Sequence, residues 1–76
     1  MTYIAVEVFY SLHNQQKLIQ VFVTKGSTMK DAILQSGILG EGTETLLQEH
    51  TIELFGKKVS SPDTYQLKPS DRIEVY

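Results

Sequence analysis

The sequence predicts an α+β domain in which one helix covers one face of a mixed sheet of four to five strands. Three observations predict this class. One segment has helical periodicity with capping signals at both ends, several segments alternate polar and apolar residues, and two of those precede the helix while shorter ones follow it. The chain has 76 residues, of which 41% are hydrophobic, so we expect residues 1–76 to form a single globular domain with a modest core.

The helix is predicted between Thr28 and Gly37. Thr28 can act as the N-cap, and Asp31 three residues later resembles a capping box. Gly37 supplies the left-handed residue that commonly ends a helix. One stripe at spacings of three and four is apolar and consists of Met29, Ala32 and Ile33. A helix this short is not stable alone in water, so the stripe must pack against a sheet.

Residues 3–10 and 17–23 are predicted as two strands joined by a polar turn over residues 11–16. Each strand has one aliphatic face, formed by Ile4, Val6 and Val8 in the first and by Ile19, Val21 and Val23 in the second. A hairpin in which paired residue numbers sum to 27 places these residues opposite one another. Sums of 25 or 29 would keep the same faces, so the alternation predicts the faces more firmly than the register.

Shorter elements follow the helix. Residues 38–49 are predicted as a loop with a helical turn at Leu46 and Leu47. A strand at 51–55 is followed by a turn at residues 56–58 into a stub strand at Val59, where Lys57 and Lys58 suit an exposed edge. An irregular segment at 60–65 and a last strand at 72–76 complete the chain. The crossover through the helix makes the first and last strands parallel neighbours. This arrangement is the β-grasp, or ubiquitin-like, fold.

Four passages resemble the RnfH family of small bacterial ubiquitin-like proteins. They read IAVEVFYSL at 4–12, GSTMKDAI at 26–33, SGIL at 36–39 and LKPSDRIEVY at 67–76. The family usually has Gly before Asp71, where this chain has Ser70, so a slightly different turn is expected there. The resemblance implies a protein-binding role without a catalytic residue. The partner would be a START-like toxin, with this chain as the antitoxin, or a membrane electron-transport complex, with this chain as an accessory.

Composition argues against several classes of function. There is no cysteine, which excludes thiolate metal sites and cysteine nucleophiles. His13 and His50 have no third nitrogen ligand, and the hydroxyl residues have no histidine–carboxylate partners, so we predict no metal, no cofactor and no enzymatic activity. The N-terminus shows no signal peptide or membrane span, and we expect a cytoplasmic protein.

The sequence gives little support to two other functions. Related β-grasp proteins act as sulfur carriers or modifiers activated at a C-terminal Gly-Gly, whereas this sequence ends in Val75 and Tyr76. An RNA-binding accessory role would need basic residues such as Lys57, Lys58 and Lys68 to collect on one surface. The formal net charge is −2 and no aromatic residues interleave with these lysines, so nucleic-acid binding is disfavoured.

The most informative feature is the sheet face turned away from the helix. The predicted register puts six apolar residues on that face, namely Tyr3, Ala5, Phe9, Leu18, Phe22 and Tyr76. A solvated face is mostly polar, so this composition favours a docking surface for another protein. The alternative is that aromatic residues simply suit strands and are covered by neighbouring long side chains. Strand addition at an exposed sheet edge is a second binding mode, and the same edge would allow a homodimer.

Overall fold

The computed structural model describes residues 2–12, 15–38 and 50–76. These residues form the elements β1 (Tyr3–Leu12), β2 (Gln15–Thr24), α1 (Met29–Ser36), β3 (Ile52–Leu54), β4 (Lys57–Lys58) and β5 (Arg72–Val75). The strands form one five-stranded sheet in the order β2-β1-β5-β3-β4. β1 and β5 are parallel, and the other neighbouring strands are antiparallel. The predicted β-grasp class is confirmed, including the parallel pairing of the first and last strands.

The hairpin of β1 and β2 has the predicted register. Val6 pairs with Val21 and Val8 pairs with Ile19, so paired residue numbers sum to 27. The predicted turn at residues 11–16 was wrong in its bounds, because β1 continues to Leu12 and β2 begins at Gln15. Polar side chains do not end a strand when the backbone ladder can continue, which is why hydrophobic alternation underestimated both strands. Residues 13–14 lie outside the described residues.

The helix begins and ends as the capping signals predict. The Thr28 Oγ1 accepts the Asp31 N–H at 3.2 Å, and the Asp31 Oδ2 accepts the Thr28 N–H at 3.0 Å. Gly37 has a φ of 67° and donates its N–H to the Leu34 carbonyl. The predicted stripe of Met29, Ala32 and Ile33 is fully buried. Because an eight-residue helix is marginal by itself, burial of this stripe against the sheet is what stabilises it.

The hydrophobic core lies between α1 and the inner face of the sheet. It consists of residues from every long element: Ile4, Val6, Val8, Val21, Val23, Met29, Ala32, Ile33, Ile52, Leu67, Ile73 and Val75. Tyr10, Ile19 and Leu54 are partly buried against it. The aliphatic faces predicted for the first two strands therefore point inward.

A turn at residues 68–71 places β5 beside β1. The buried Asp71 accepts the Lys68 N–H at 2.8 Å through Oδ2, and its carbonyl accepts the Glu7 N–H at 2.9 Å. Ser70 donates its N–H to the Ala5 carbonyl and has a φ of 68°. Ser70 therefore adopts the left-handed conformation that glycine adopts more readily, and the turn is closed despite the substitution.

The strands in the second half of the chain lie near the predicted positions but differ from the predictions in their bounds. The strands predicted at 51–55 and 72–76 are shorter, covering Ile52–Leu54 and Arg72–Val75, although Thr51 and Tyr76 still exchange backbone hydrogen bonds at 3.0 Å. The stub strand lies at an edge of the sheet as predicted, but β4 contains Lys57 and Lys58, both exposed, and Val59 follows it. The helical turn predicted at Leu46 and Leu47 lies outside the described residues.

Candidate protein-binding surface

The face of the sheet opposite α1, which we call the outer face, contains all six predicted binding residues. Five of them lie on β1 and β2, where odd-numbered residues of β1 pair with even-numbered residues of β2, and Tyr76 follows β5. Four are exposed: Tyr3 by 61%, Phe22 by 58%, Leu18 by 54% and Tyr76 by 40%. Ala5 and Phe9 are half-buried. The alternative that long neighbouring side chains cover this layer is wrong for the four exposed residues.

Cross-strand pairs organise the apolar part of the outer face. Ala5 pairs with Phe22, and Phe9 pairs with Leu18. The polar pair Glu7 and Gln20 lies between them. Paired residues on one face have Cβ atoms about 5 Å apart, so each pair presents a contiguous apolar patch. The outer face therefore offers two apolar patches separated by one pair that can form hydrogen bonds.

Phe9 is held by residues from β5 and the segment after it. The Arg72 guanidinium carbon lies 5.2 Å from the centroid of the Phe9 ring, a cation–π arrangement. The Tyr76 ring meets the Phe9 ring edge to face, with centroids 6.4 Å apart and an interplanar angle of 69°. Phe9 is thus a supporting residue of the outer face, whereas Phe22 and Leu18 are the side chains open to contact.

Glu74 connects this aromatic group to the turn between β3 and β4. Its Oε1 accepts the Gly56 N–H at 2.7 Å, and its Oε2 accepts the Tyr76 hydroxyl at 3.4 Å. Arg72 Nε lies 3.8 Å from the same Oε2. Partial desolvation raises the pKa of the Tyr76 phenol, and the negative charges of Glu74 and Glu53 raise it further. Tyr76 is therefore neutral at physiological pH and acts as a hydrogen-bond donor.

The part of the outer face formed by β5, β3 and β4 is charged. Glu53 pairs with Glu74 on one side and with Lys58 on the other. Lys58 is thus opposite an acidic residue, and Arg72 is engaged with Phe9 and Glu74. Lys58, one of the basic residues considered for RNA binding, is therefore interrupted by an acidic neighbour on this surface.

Other kinds of site have little structural support in the described part of the chain. Within it, no three His, Asp or Glu side chains are grouped closely enough to hold a metal ion. His50 lies with Nδ1 3.3 Å from the Tyr76 carbonyl oxygen, and His13 is outside the described residues. No helix in residues 2–12, 15–38 and 50–76 is long and apolar enough to cross a membrane. The expected absence of a cofactor and of catalysis stays a prediction.

A match to a protein family tests the resemblance found in the sequence. Residues 4–76 match the family described as RnfH family Ubiquitin. The chain belongs to the RnfH family. The resemblance in the first and last strands is therefore confirmed, and the ubiquitin-like fold of the family agrees with the helix and mixed sheet described above.

Bacterial relatives of this RnfH-family chain match it over nearly its whole length. Protein RnfH of Ectopseudomonas mendocina is 37% identical over 73 residues, which cover 96% of this chain and 69% of the relative. Protein RnfH of Alcanivorax borkumensis is 40% identical over 75 residues, covering 99% and 72%. Protein RnfH of Hahella chejuensis is 37% identical over 73 residues, covering 96% and 76%. The aligned region therefore spans nearly the whole domain.

Sequence reasoning missed the contacts that support the outer face. Strand alternation placed Phe9 and Tyr76 on the same face, but it gave no register between β1 and β5. In the structure, Phe9 pairs with Glu74 and Glu7 pairs with Arg72. These pairings bring Arg72, Glu74 and Tyr76 around Phe9. The paired carboxylates Glu53 and Glu74 were also missed, because their proximity depends on the pairing of β3 with β5.

Proposed function

We propose that this RnfH-family chain acts by binding another protein through the outer face, without catalysis or a cofactor. The observation that supports the proposal is the exposure of Tyr3, Leu18 and Phe22 on adjacent strands. Large apolar side chains grouped on one face of a small domain are typical of an interaction site. Exposed polar or charged residues would be expected there if the face only contacted water.

The geometry indicates what kind of partner surface fits. Phe22 and Leu18 would enter apolar depressions of the partner, and each large apolar side chain contributes about 1.5–3 kcal/mol when it is fully removed from water. Glu7 and Gln20 lie between the two patches and would hydrogen-bond to the partner. Arg72 and Glu74 are on neighbouring β5 and belong to a charged rim. Such a combination of apolar centre and charged rim is common in specific protein interfaces.

Two more specific roles follow from the family resemblance and belong to this proposal. In one, the outer face binds a START-like toxin, for which this chain is the antitoxin. In the other, it binds a component of a membrane electron-transport complex. The genes beside the coding sequence distinguish these roles, since a small START-like reading frame favours the first and an electron-transport operon favours the second.

A matched pair of leucine substitutions tests the outer face. Leu18 is 54% exposed on this face, whereas Leu34 is 39% exposed on α1, which covers the other side of the sheet. Leu18→Gln is expected to weaken capture of the partner from lysate, and Leu18→Gln combined with Phe22→Ser is expected to abolish capture. Leu34→Gln is expected to retain it, because it makes the same change on another surface. Quantitative mass spectrometry identifies proteins that depend on the outer face, and calorimetry with the purified partner then measures the loss of affinity.

The structural controls are circular dichroism and cooperative urea unfolding of each variant. These should show that Leu18→Gln with Phe22→Ser leaves the fold intact, since both side chains are largely in solvent. Equal capture of every protein by wild type and by this double variant would refute the outer face as the binding site.

A further inference from the structure

The two edges of the sheet differ in how they resist pairing with another strand. β4 is two residues long, and both are exposed lysines, a combination that discourages strand addition. β2 is ten residues long and carries one lysine, Lys17, and no proline. Its first half is open on both faces, with Leu18 exposed on the outer face and Ile19 only partly buried on the inner face. Within the described residues, the β2 edge therefore lacks the usual protection against strand addition.

The hydrogen-bonding pattern shows which backbone groups point away from β1. Lys25 donates its N–H to the Thr2 carbonyl, and these residue numbers also sum to 27. Bonded and non-bonded pairs alternate in an antiparallel ladder, so odd-numbered residues of β2 bond to β1. The backbone N–H and C=O groups of the even-numbered residues of β2 therefore point to the open edge. The Phe22 carbonyl agrees with this assignment, since it accepts a bond from outside the hairpin.

Only part of this edge is covered within the described residues. The Gln35 side chain on α1 donates its Nε2–H to the Phe22 carbonyl at 2.7 Å, and Ser27 donates its N–H to the Thr24 carbonyl at 3.0 Å. The described residues provide no such contact for Gln16, Leu18 and Gln20. Among the described residues, Gln35 contacts the edge only at Phe22, so a strand added at residues 16–20 would not displace it.

We propose that this open segment pairs with the same segment of a second copy of the chain, in antiparallel orientation about a twofold axis at Leu18. Gln16 then pairs with Gln20 of the second copy, and Leu18 pairs with Leu18 of the second copy. The two sheets join into one continuous sheet with both helices on the same side. This proposal concerns the sheet edge and does not depend on binding through the outer face.

The segment is complementary to itself in this register. On the outer face, Leu18 packs against Leu18 of the second copy. On the inner face, Lys17 lies opposite Ile19 of the second copy, so the two lysines are not paired and each aliphatic stem covers a partly exposed isoleucine. A register centred on Gln20 would pair Leu18 with Phe22, whose carbonyl is already occupied by Gln35. The contact at Phe22 thus favours the register centred on Leu18 over the one centred on Gln20.

Cysteine cross-linking tests the register directly, because the sequence contains no cysteine. Directly paired residues have Cα atoms about 5.5 Å apart, within the range for a disulfide. The variant Leu18→Cys is therefore expected to form a disulfide-linked dimer under mild oxidation. Gln20→Cys is the matched control, since the two introduced thiols would be displaced along the strands by about 13 Å. No cross-link at residue 18, or equal cross-linking of the two variants, would overturn the proposal.

Sedimentation equilibrium from about 5 µM to about 1 mM then measures the association of the wild type. Gln20→Pro removes an N–H that points to the open edge, so the β1 ladder keeps its bonds and the apolar residues of the outer face are unchanged. We expect it to weaken dimerisation about ten- to a hundred-fold, while Gln20→Thr retains it. A wild type that stays monomeric throughout this range refutes the proposal. Hydrogen exchange at the Leu18 and Gln20 amides gives a second refuting result. The proposal is also wrong if these amides are protected only when a different protein is added and their protection does not increase with the concentration of this chain.

Discussion

The neighbouring residues Val21 and Phe22 test whether the outer face is open. Val21 is 5% exposed and faces the core, whereas Phe22 is 58% exposed and faces outward. Replacing each residue with alanine removes more atoms at Phe22 than at Val21. If both side chains were buried, Phe22→Ala would lower the free energy of unfolding by more than Val21→Ala. The structure predicts the opposite order.

The magnitudes follow from the exposed fractions. Phe22 has 58% of its surface in water, so roughly 80 Å² of its side chain is covered, corresponding to about 2 kcal/mol as an upper limit. Allowing for the surface that alanine still covers and for a compact unfolded state, we expect Phe22→Ala to cost about 1 kcal/mol. Val21→Ala removes two buried methyl groups and leaves a cavity, so we expect a cost of about 2.5 kcal/mol.

Urea unfolding followed by circular dichroism measures both changes in the free energy of unfolding. The protein should be kept at about 5 µM so that association contributes little. Truncation of a fully buried phenylalanine costs about 3–5 kcal/mol. A value in that range for Phe22→Ala, or a larger cost for Phe22→Ala than for Val21→Ala, would refute the assignment of the open face and the docking proposal with it.

Three further predictions concern local features. Ser70→Gly is expected to raise the free energy of unfolding by about 0.5 kcal/mol, because relief of the left-handed strain at φ 68° exceeds the added flexibility of the unfolded chain; urea unfolding that shows a loss would contradict this. Thr28→Ala is expected to lower it by about 1 kcal/mol through loss of the bond to the Asp31 N–H, whereas no change would mean that the cap contributes nothing. Glu74→Gln is expected to lower the raised pKa of Tyr76 towards about 10, because a negative charge beside the phenol is removed. Ultraviolet pH titration against Tyr76→Phe measures this shift, and an unchanged pKa would contradict the role of Glu74.

Local patterns predicted much of the fold because their causes are local. The Thr28 cap, the Gly37 end and the buried stripe of α1 depend on residues within one or two helical turns. Alternation assigned the aliphatic residues of β1 and β2 to one face, and the register summing to 27 was among three that satisfied it. The bounds of the first turn were wrong, since strand length depends on backbone pairing across the hairpin.

The sequence by itself determined the inward faces of β1, β2 and α1, where the helix lies and which apolar side chains remain on the outer face. It did so because periods of two and 3.6 residues sort side chains onto faces without reference to distant parts of the chain. Only the tertiary structure decided that Arg72, Glu74 and Tyr76 surround Phe9 and that Gln35 covers the edge at Phe22. These contacts join residues far apart in sequence, and they require the parallel register of β1 with β5 and the packing of α1 across β2.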